Sequence, residues 1–294
     1  MPTVTGHDRL LADLGATFRP QRRWVEGRGV LLIAGHFLSG VAAGTWLFSL
    51  WLGVGAGLTL AVVAMAMSGV AHLFFLGHPE RFWRMVRARR SWIARGFLGM
   101  TLFMAGAVPA LVLRPGALRS AALALAIAGA AIVIVYKGNV YAASKGIPFW
   151  NSPVLPVLYA TYAIRGGLAV LLVILPFSAG SAETRWMELL ELWVAVSAAV
   201  MLGFYLGVMR NTSVAARRSV GELTGGRAAL AFYLGTVGAG LVVPILVGIA
   251  GLAGPTPGLV LACTGAFSLA GDFFAKYAIA RAGIYVPMMP AGRI

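Results

Sequence analysis

The sequence is short of cysteine and short of charge. Cys263 is the one cysteine in 294 residues. That excludes a disulfide framework and a protein-held iron–sulfur cluster, which takes about four thiolate ligands. No C-x-x-C-H run occurs, so covalently attached haem is excluded as well. Only 11% of the chain is charged while 60% is hydrophobic, and nine acids stand against 24 Lys and Arg. A water-soluble domain of this size carries far more charge. What is present instead are apolar blocks long enough to cross a hydrocarbon core of about 30 Å. The net charge of +15 is accounted for by basic residues flanking membrane spans, so no nucleic-acid partner is inferred. The first 28 residues are polar and the first apolar block is too long for a signal h-region, so no cleavable leader is expected.

The fold class that follows is an all-α membrane protein. Eight transmembrane helices are expected at about 29–51, 57–77, 92–113, 117–141, 154–176, 187–209, 228–250 and 258–280. Backbone groups in lipid have to be satisfied within the segment, and these blocks are too long and too uniformly apolar for barrel strands. A polar segment (1–28), the eight-helix domain (29–281) and a tail (282–294) make up the chain. A faint echo between "FLSGVAAG" and "AIRGGLAV" suggests two four-helix bundles. An even number of spans puts both termini on one side.

Tight connections at 53–55, 114–116 and 254–257 alternate with longer ones at 78–91, 142–153 and 210–227. Of the 24 cations, 20 fall on the side of the termini and the long connections. Arg114, Arg119 and Arg185 fall on the other, and Arg165 lies inside a span. That imbalance places the termini in the cytoplasm of a bacterial or archaeal inner membrane.

Polar side chains within spans are costly in a bilayer and are therefore the best pointers to function. His36 lies early in the first span and His72 late in the second. Tyr136, Lys137, Asn139 and Tyr141 close the fourth, Arg165 is near the middle of the fifth, and Asp272, Lys276 and Tyr277 lie late in the eighth. By depth they gather towards the terminal side, and the opposite half of every span reads as aliphatic scaffold. Asp272 reads as the one acid clearly inside a span. With Arg165 and Lys276 it forms either a charge pair that locks two helices or a proton relay at a ligand site. Each histidine is either a hydrogen-bonded core residue or a ligand-facing group.

Three kinds of site suit such a set. A quinone needs an apolar slot with hydrogen-bonding groups at its oxygens and a group that moves protons. Here His36, His72, Tyr136, Tyr141, Lys145, Asp272 and Lys276 are the candidates, with His72 and Asp272 as the proton-handling pair. A b-type haem needs two axial histidines on facing helices, and His36 with His72 supplies one such pair. A transporter or proton-translocating protein would use Arg165–Asp272 as its gated pair, although an apolar far half argues against a pathway.

Several runs carry a resemblance. "LFFLGHPERFWRM…RRSWIARG" resembles the second-to-third helix connection of the NrfD-like and dimethyl sulfoxide reductase anchor families. "HFLSGVAAGTWLF" resembles their first helix, "YAASKGIPFWNSPVLPVLY" the link between the fourth and fifth, and "GDFFAKYAIARAGI" the closing helix, which in the family more often carries Glu than Asp. The resemblance covers nearly the whole chain. It implies the membrane subunit of a molybdenum or tungsten bis-pterin oxidoreductase, binding no metal or haem itself. Such a subunit exchanges electrons between menaquinone or ubiquinone and a four-cluster ferredoxin-like iron–sulfur subunit, which relays them to a molybdopterin catalytic subunit. In the dimethyl sulfoxide reductase anchors a quinol-linked His immediately precedes the L-G of the motif. Here Phe75 holds that position, with His72 before it and His78 after.

The segment "GHPERFWRMVRARRSWIARG" (Gly77–Gly96) has six Arg among three aromatics. The arginines alone would serve to retain the loop in the cytoplasm and to reach lipid headgroups. The tryptophans between them point further, to a docking platform for the iron–sulfur subunit built from Arg81, Trp83, Arg84, Arg87, Arg89, Arg90 and Trp92, since Arg and Trp are favoured anchors of interfaces. Many relatives carry their catalytic subunits in the periplasm. The charge asymmetry instead implies a cytoplasmic catalytic module, an arrangement similar to phenylacetyl-CoA:acceptor oxidoreductase.

Overall fold

The computed structural model describes residues 18–88, 90–177 and 181–287, the side chains of 86 and 181–184 excepted. Among the described residues, eight helices are long and apolar enough to cross a membrane. In chain order the helices are α1 (Gly29–Leu52), α2 (Gly55–Phe75), α3 (Trp92–Val112), α4 (Ala117–Ala142), α5 (Val154–Ile174), α6 (Ser181–Thr212), the short α7 (Val214–Thr224), α8 (Val243–Gly251) and α9 (Gly258–Ala282). A π-helical segment, Ala231–Val242, runs directly into α8 and completes the seventh span. The eight spans lie within one helical turn of the bounds expected from hydropathy.

Two elements were not legible as spans or turns. A 3₁₀ segment, Pro79–Arg87, follows α2 and starts on a proline, which fits the first helical turn. α7 begins where the Ser213 hydroxyl accepts a hydrogen bond from the Ala216 amide at 3.2 Å. It buries Ala215, Ala216, Ser219, Val220 and Leu223 and exposes Arg217 and Arg218, as an interfacial helix does.

The segments that flank the eight spans meet. Arg19–Pro20 (β1) pairs antiparallel with Ile284–Tyr285 (β2), and the Ser219 hydroxyl accepts from the Ile284 amide. The Val286 amide donates to the Gly146 carbonyl in the α4–α5 connection. This loop face thus carries the flanking strands, α7 and the long connections. On the opposite face Arg185 donates to the Gly251 and Gly254 carbonyls, and Trp51 packs on Trp186 with ring centroids 4.9 Å apart.

One buried apolar cluster joins α1 to α4, around Trp46 and Phe103, whose rings meet edge to face at 5.4 Å. A second joins α5, α6, the π segment and α9 to the α4–α5 connection. Water drives little helix association inside lipid, so close backbone approach does much of the work. Gly44 on α1 and Gly167 on α5 are pressed together so tightly that a β-carbon on either would overlap the other helix's backbone. Large apolar side chains such as Val63, Met67 and Phe74 on α2 are left exposed on the outer surface. Lipid solvates them at no cost.

Candidate functional site

The cavity lies between α2 and α3, next to the 3₁₀ segment that connects them. It has a volume of about 730 Å³ and an almost wholly apolar wall, including Met65 on α2, Phe97 and Met104 on α3, and Trp24 before α1. Leu73 and Ile93 line it and are also exposed on the outer surface at 39% and 52%. The cavity therefore opens sideways, where lipid lies.

Its few polar side chains come from four helices, Thr101 being the one on α3. His36 (α1), His72 (α2) and Tyr136 (α4) line it. The His36 ring lies 5.4 Å from that of His72, 6.0 Å from that of Tyr136 and 5.9 Å from that of Tyr141, measured between centroids. The Nδ1 of His72 is 2.7 Å from the Ser68 carbonyl oxygen. A carbonyl only accepts, so Nδ1 carries a hydrogen and the neutral ring offers Nε2 as an acceptor. That Nε2 and the Nδ1 of His36 are buried with no hydrogen-bond partner among the described residues. Gly35 makes the arrangement possible, because the His72 ring fills the place a β-carbon would take. Gly96 does the same for the Tyr136 ring.

The 3₁₀ segment roofs the cavity. Phe82 and Met85, three residues apart on one side of it, line the wall, and Phe82 packs edge-on against Phe97 at 5.7 Å. Arg81, Trp83, Arg84 and Arg87 face outward and are exposed. The guanidinium groups of Arg87 and Arg84 stand 5.2 and 5.7 Å from the Trp83 ring centroid, and that of Arg95 stands 4.4 Å from Trp92.

A second polar centre lies deeper, near the middle of the bilayer. Arg165 is fully buried. Its Nε donates to Glu191 Oε1 at 3.0 Å, its Nη1 to Asp272 Oδ1 at 2.8 Å, and its Nη2 to Ser268 Oγ at 2.9 Å and to the Gly240 carbonyl. Ser268 Oγ in turn donates to Glu191 Oε1 at 2.6 Å. The Gly240 carbonyl belongs to the π segment, where Gly240 and Gly271 of α9 are in direct contact. Such widened turns free a helix's regular bonding and recur at functional positions.

A profile of the polysulphide reductase NrfD family matches residues 29–287. The chain belongs to that family. Protein NrfD of Escherichia coli (strain K12) is 32% identical over 124 residues, which is 40% of this chain. The match spans 38% of that protein's length. This NrfD-family chain is accordingly a multi-pass integral membrane protein, as the resemblance and the eight spans led one to expect.

Of the quinone candidates named from the sequence, His36, His72 and Tyr136 line the cavity, and Tyr141 stands behind His36. Lys145 is exposed in the α4–α5 connection, and Asp272 and Lys276 belong to the deeper centre. Arg81 and Arg95 do not reach the cavity lining. Among the docking candidates, Arg90 is exposed and Trp92 half-buried, while Arg89 lies outside the described residues. The "IPFWNSP" turn belongs to the α4–α5 connection and is absent from the cavity lining. Its Trp150 is buried and donates from Nε1 to the Ile279 carbonyl at 3.0 Å, so the turn is pinned to α9.

One expectation is overturned. Asp272 is not alone, because Glu188 and Glu191 also lie within a span and are 4% and 2% exposed. They sit in the first turns of their span, where hydropathy alone places acids at the membrane surface. In the fold the same turns are packed against α5, α8 and α9. The half of the bundle away from the loop face is therefore not purely aliphatic.

Proposed function

We propose that this NrfD-family chain is the quinone- or quinol-reactive membrane anchor of a multi-subunit molybdopterin oxidoreductase. It passes electrons between menaquinone or ubiquinone in the bilayer and a four-cluster ferredoxin-like iron–sulfur subunit docked on the loop face, and so to a catalytic subunit. The observation that carries the reading is the pair of imidazoles, His72 and His36, that line an apolar cavity opening to lipid beneath an Arg–Trp roof, each with a buried ring nitrogen that has no hydrogen-bond partner among the described residues. A quinone ring and isoprenoid tail suit such a wall. His72 Nε2 accepts a quinol hydroxyl, and the Tyr136 hydroxyl has the chemistry to donate to the other oxygen. The exposed Trp83 with Arg84 and Arg87 gives the partner a cationic and aromatic anchor. Positive charge on the loop face supports a cytoplasmic docking side.

The test is purification of the native complex through a tag on this chain. Quinol-dependent reduction of the complex's iron–sulfur centres is expected, with molybdenum or tungsten present in stoichiometric amount. His72→Gln should remove that reduction while the complex stays assembled. A complex that lacks iron–sulfur and molybdopterin subunits sinks the assignment and favours a free-standing transporter built on Arg165–Asp272.

A further inference from the structure

Beyond the cavity, a run of buried ionisable side chains continues through the protein. Lys137 on α4 follows Tyr136 but turns away from the cavity. Its ammonium is fully buried, has no hydrogen-bond partner among the described residues, and lies 5.8 Å from the Tyr136 ring centroid. It rests against Gly40, one helical turn beyond His36. Lys276 on α9 comes to the same stretch of α1 from the other side. Its Nζ is 5.8 Å from the Phe37 ring centroid and 5.0 Å from that of Tyr162. Asp272 lies one turn from Lys276 on the same helical face, and Arg165 joins Asp272 to Glu191.

From Glu191 the run goes on. Glu188 is one turn away on α6. Its Oε1 accepts from the Thr256 hydroxyl, and its Oε2 is 3.7 Å from Arg185 Nη1. Thr256 lines a surface cavity of about 440 Å³ at the α8–α9 turn, on the face opposite the Arg-rich segment. Ionisable side chains thus extend from the histidines to the far surface.

A structural ion pair accounts for part of this and leaves the rest unexplained. Buried charge in a bilayer is expensive and marks pathways. The run gathers three buried acids, Asp272, Glu191 and Glu188, with three buried bases, Arg165, Lys276 and Lys137. Asp272 Oδ2, Glu191 Oε2 and Lys137 Nζ are all buried without hydrogen-bond partners among the described residues. Unsatisfied groups in a native core call for such an explanation as bound water or chemical use.

We propose that the run is a proton relay connecting the quinone cavity with the face opposite the Arg-rich segment. The inference rests on the quinone reading of the cavity. A quinol gives up two O–H protons and two electrons and becomes quinone. The electrons pass one at a time to the iron–sulfur acceptor on the loop face. Each proton enters at His72 or His36 and displaces one along Lys137, Lys276, Asp272, Glu191 and Glu188, and one is released beside Thr256. Every relay group ends as it began. Arg165 is a positioning residue that holds the two carboxylates in register. In quinone reduction the same route runs inward. Because protons and electrons leave on opposite faces, turnover separates charge across the membrane.

The experiment uses the whole native complex in liposomes, supplied with quinol and a membrane-impermeant electron acceptor outside, so that only complexes with the loop face outward turn over. A lumenal pH probe and a potential-sensitive dye report the outcome. Lumenal acidification with an inside-positive potential is expected. Lys137→Met and Glu188→Gln should each lower acidification and turnover at least about tenfold, with a quinol-analogue inhibitor bound as in the wild type. Lys137 Nζ has no hydrogen-bond partner among the described residues, and an unchanged melting temperature of Lys137→Met would confirm that it folds. Protons appearing outside without a potential overturn the relay, as does Lys137→Met that acidifies the lumen at the wild-type rate. Those results leave the quinone site standing. Wild-type complex that neither oxidises quinol nor binds the inhibitor overturns both.

Discussion

Gly35 on α1 stands directly against the imidazole of His72 on α2, and a β-carbon at residue 35 would lie 2.5 Å from both Nδ1 and Cε1. The ring cannot yield freely, because Nδ1 is tied to the Ser68 carbonyl and Ser68 Oγ donates to the Gly35 carbonyl at 2.7 Å. Gly35→Ala therefore pushes His72 out of place without touching the cavity's other walls. Quinol-dependent reduction of the complex should fall by about a hundredfold, the order lost when a catalytic group is displaced by an ångström. The amount of assembled complex should stay near wild type. Turnover at the wild-type rate would show that the orientation of His72 is immaterial.

Arg165 carries the heaviest structural demand. Removing one member of a buried ion pair leaves an uncompensated charge and costs about 3–5 kcal/mol. Arg165→Gln leaves Asp272 and Glu191 facing each other in the bilayer core, and the melting temperature of the complex in detergent should fall sharply or the chain should fail to accumulate. Arg165→Lys should not restore it, since an ammonium cannot reach Glu191, Asp272, Ser268 and the Gly240 carbonyl at once as the guanidinium does. Full stability of the lysine variant would show that charge alone matters there.

The spans were legible because hydropathy measures length and depth directly. Depth correctly put His36, His72 and Tyr136 at one level. It did not say which way a side chain faces. Tyr136 and Lys137 are neighbours in sequence and near-equal in depth, yet the first lines the cavity and the second points to the other side of α4. Lys145 has the right chemistry but is exposed in a connection, and Asp272 is turned towards α5 and α6. Helix azimuth and helix neighbours come from packing, such as the Gly44–Gly167 contact, and a single sequence holds no direct record of them. Glu188 and Glu191 were missed for a related reason, because acids at the start of an apolar block read as surface.

Trp83 is 48% exposed with two guanidinium groups over its ring. If this is the partner's anchor, Trp83→Ala should weaken association with the iron–sulfur subunit by about 2 kcal/mol, or about thirtyfold. Arg84→Ala and Arg87→Ala should each weaken it less, with a loss that fades as ionic strength rises. Binding of a quinol-analogue inhibitor to this chain should not change. A Trp83 variant that copurifies with its partner as tightly as wild type, at low and high salt alike, would leave the segment as a lipid-facing retention signal.

Phe82, the residue before Trp83, should behave in the opposite way, and the contrast tests the two-sided character of the 3₁₀ segment. Phe82 reaches down to Phe97 and lines the cavity, whereas Trp83 faces outward. Phe82→Ala removes part of the roof and lets water towards His72 and His36. A site whose hydrogen bonds depend on a dry wall loses discrimination when wetted. Inhibitor affinity should drop by about tenfold, in keeping with roughly 1–2 kcal/mol for a partly buried aromatic ring, while the association measured for the partner subunit stays unchanged. If Phe82→Ala and Trp83→Ala shift the same quantity by the same amount, the segment is one surface and not two. The roof over the cavity then has no part separate from docking.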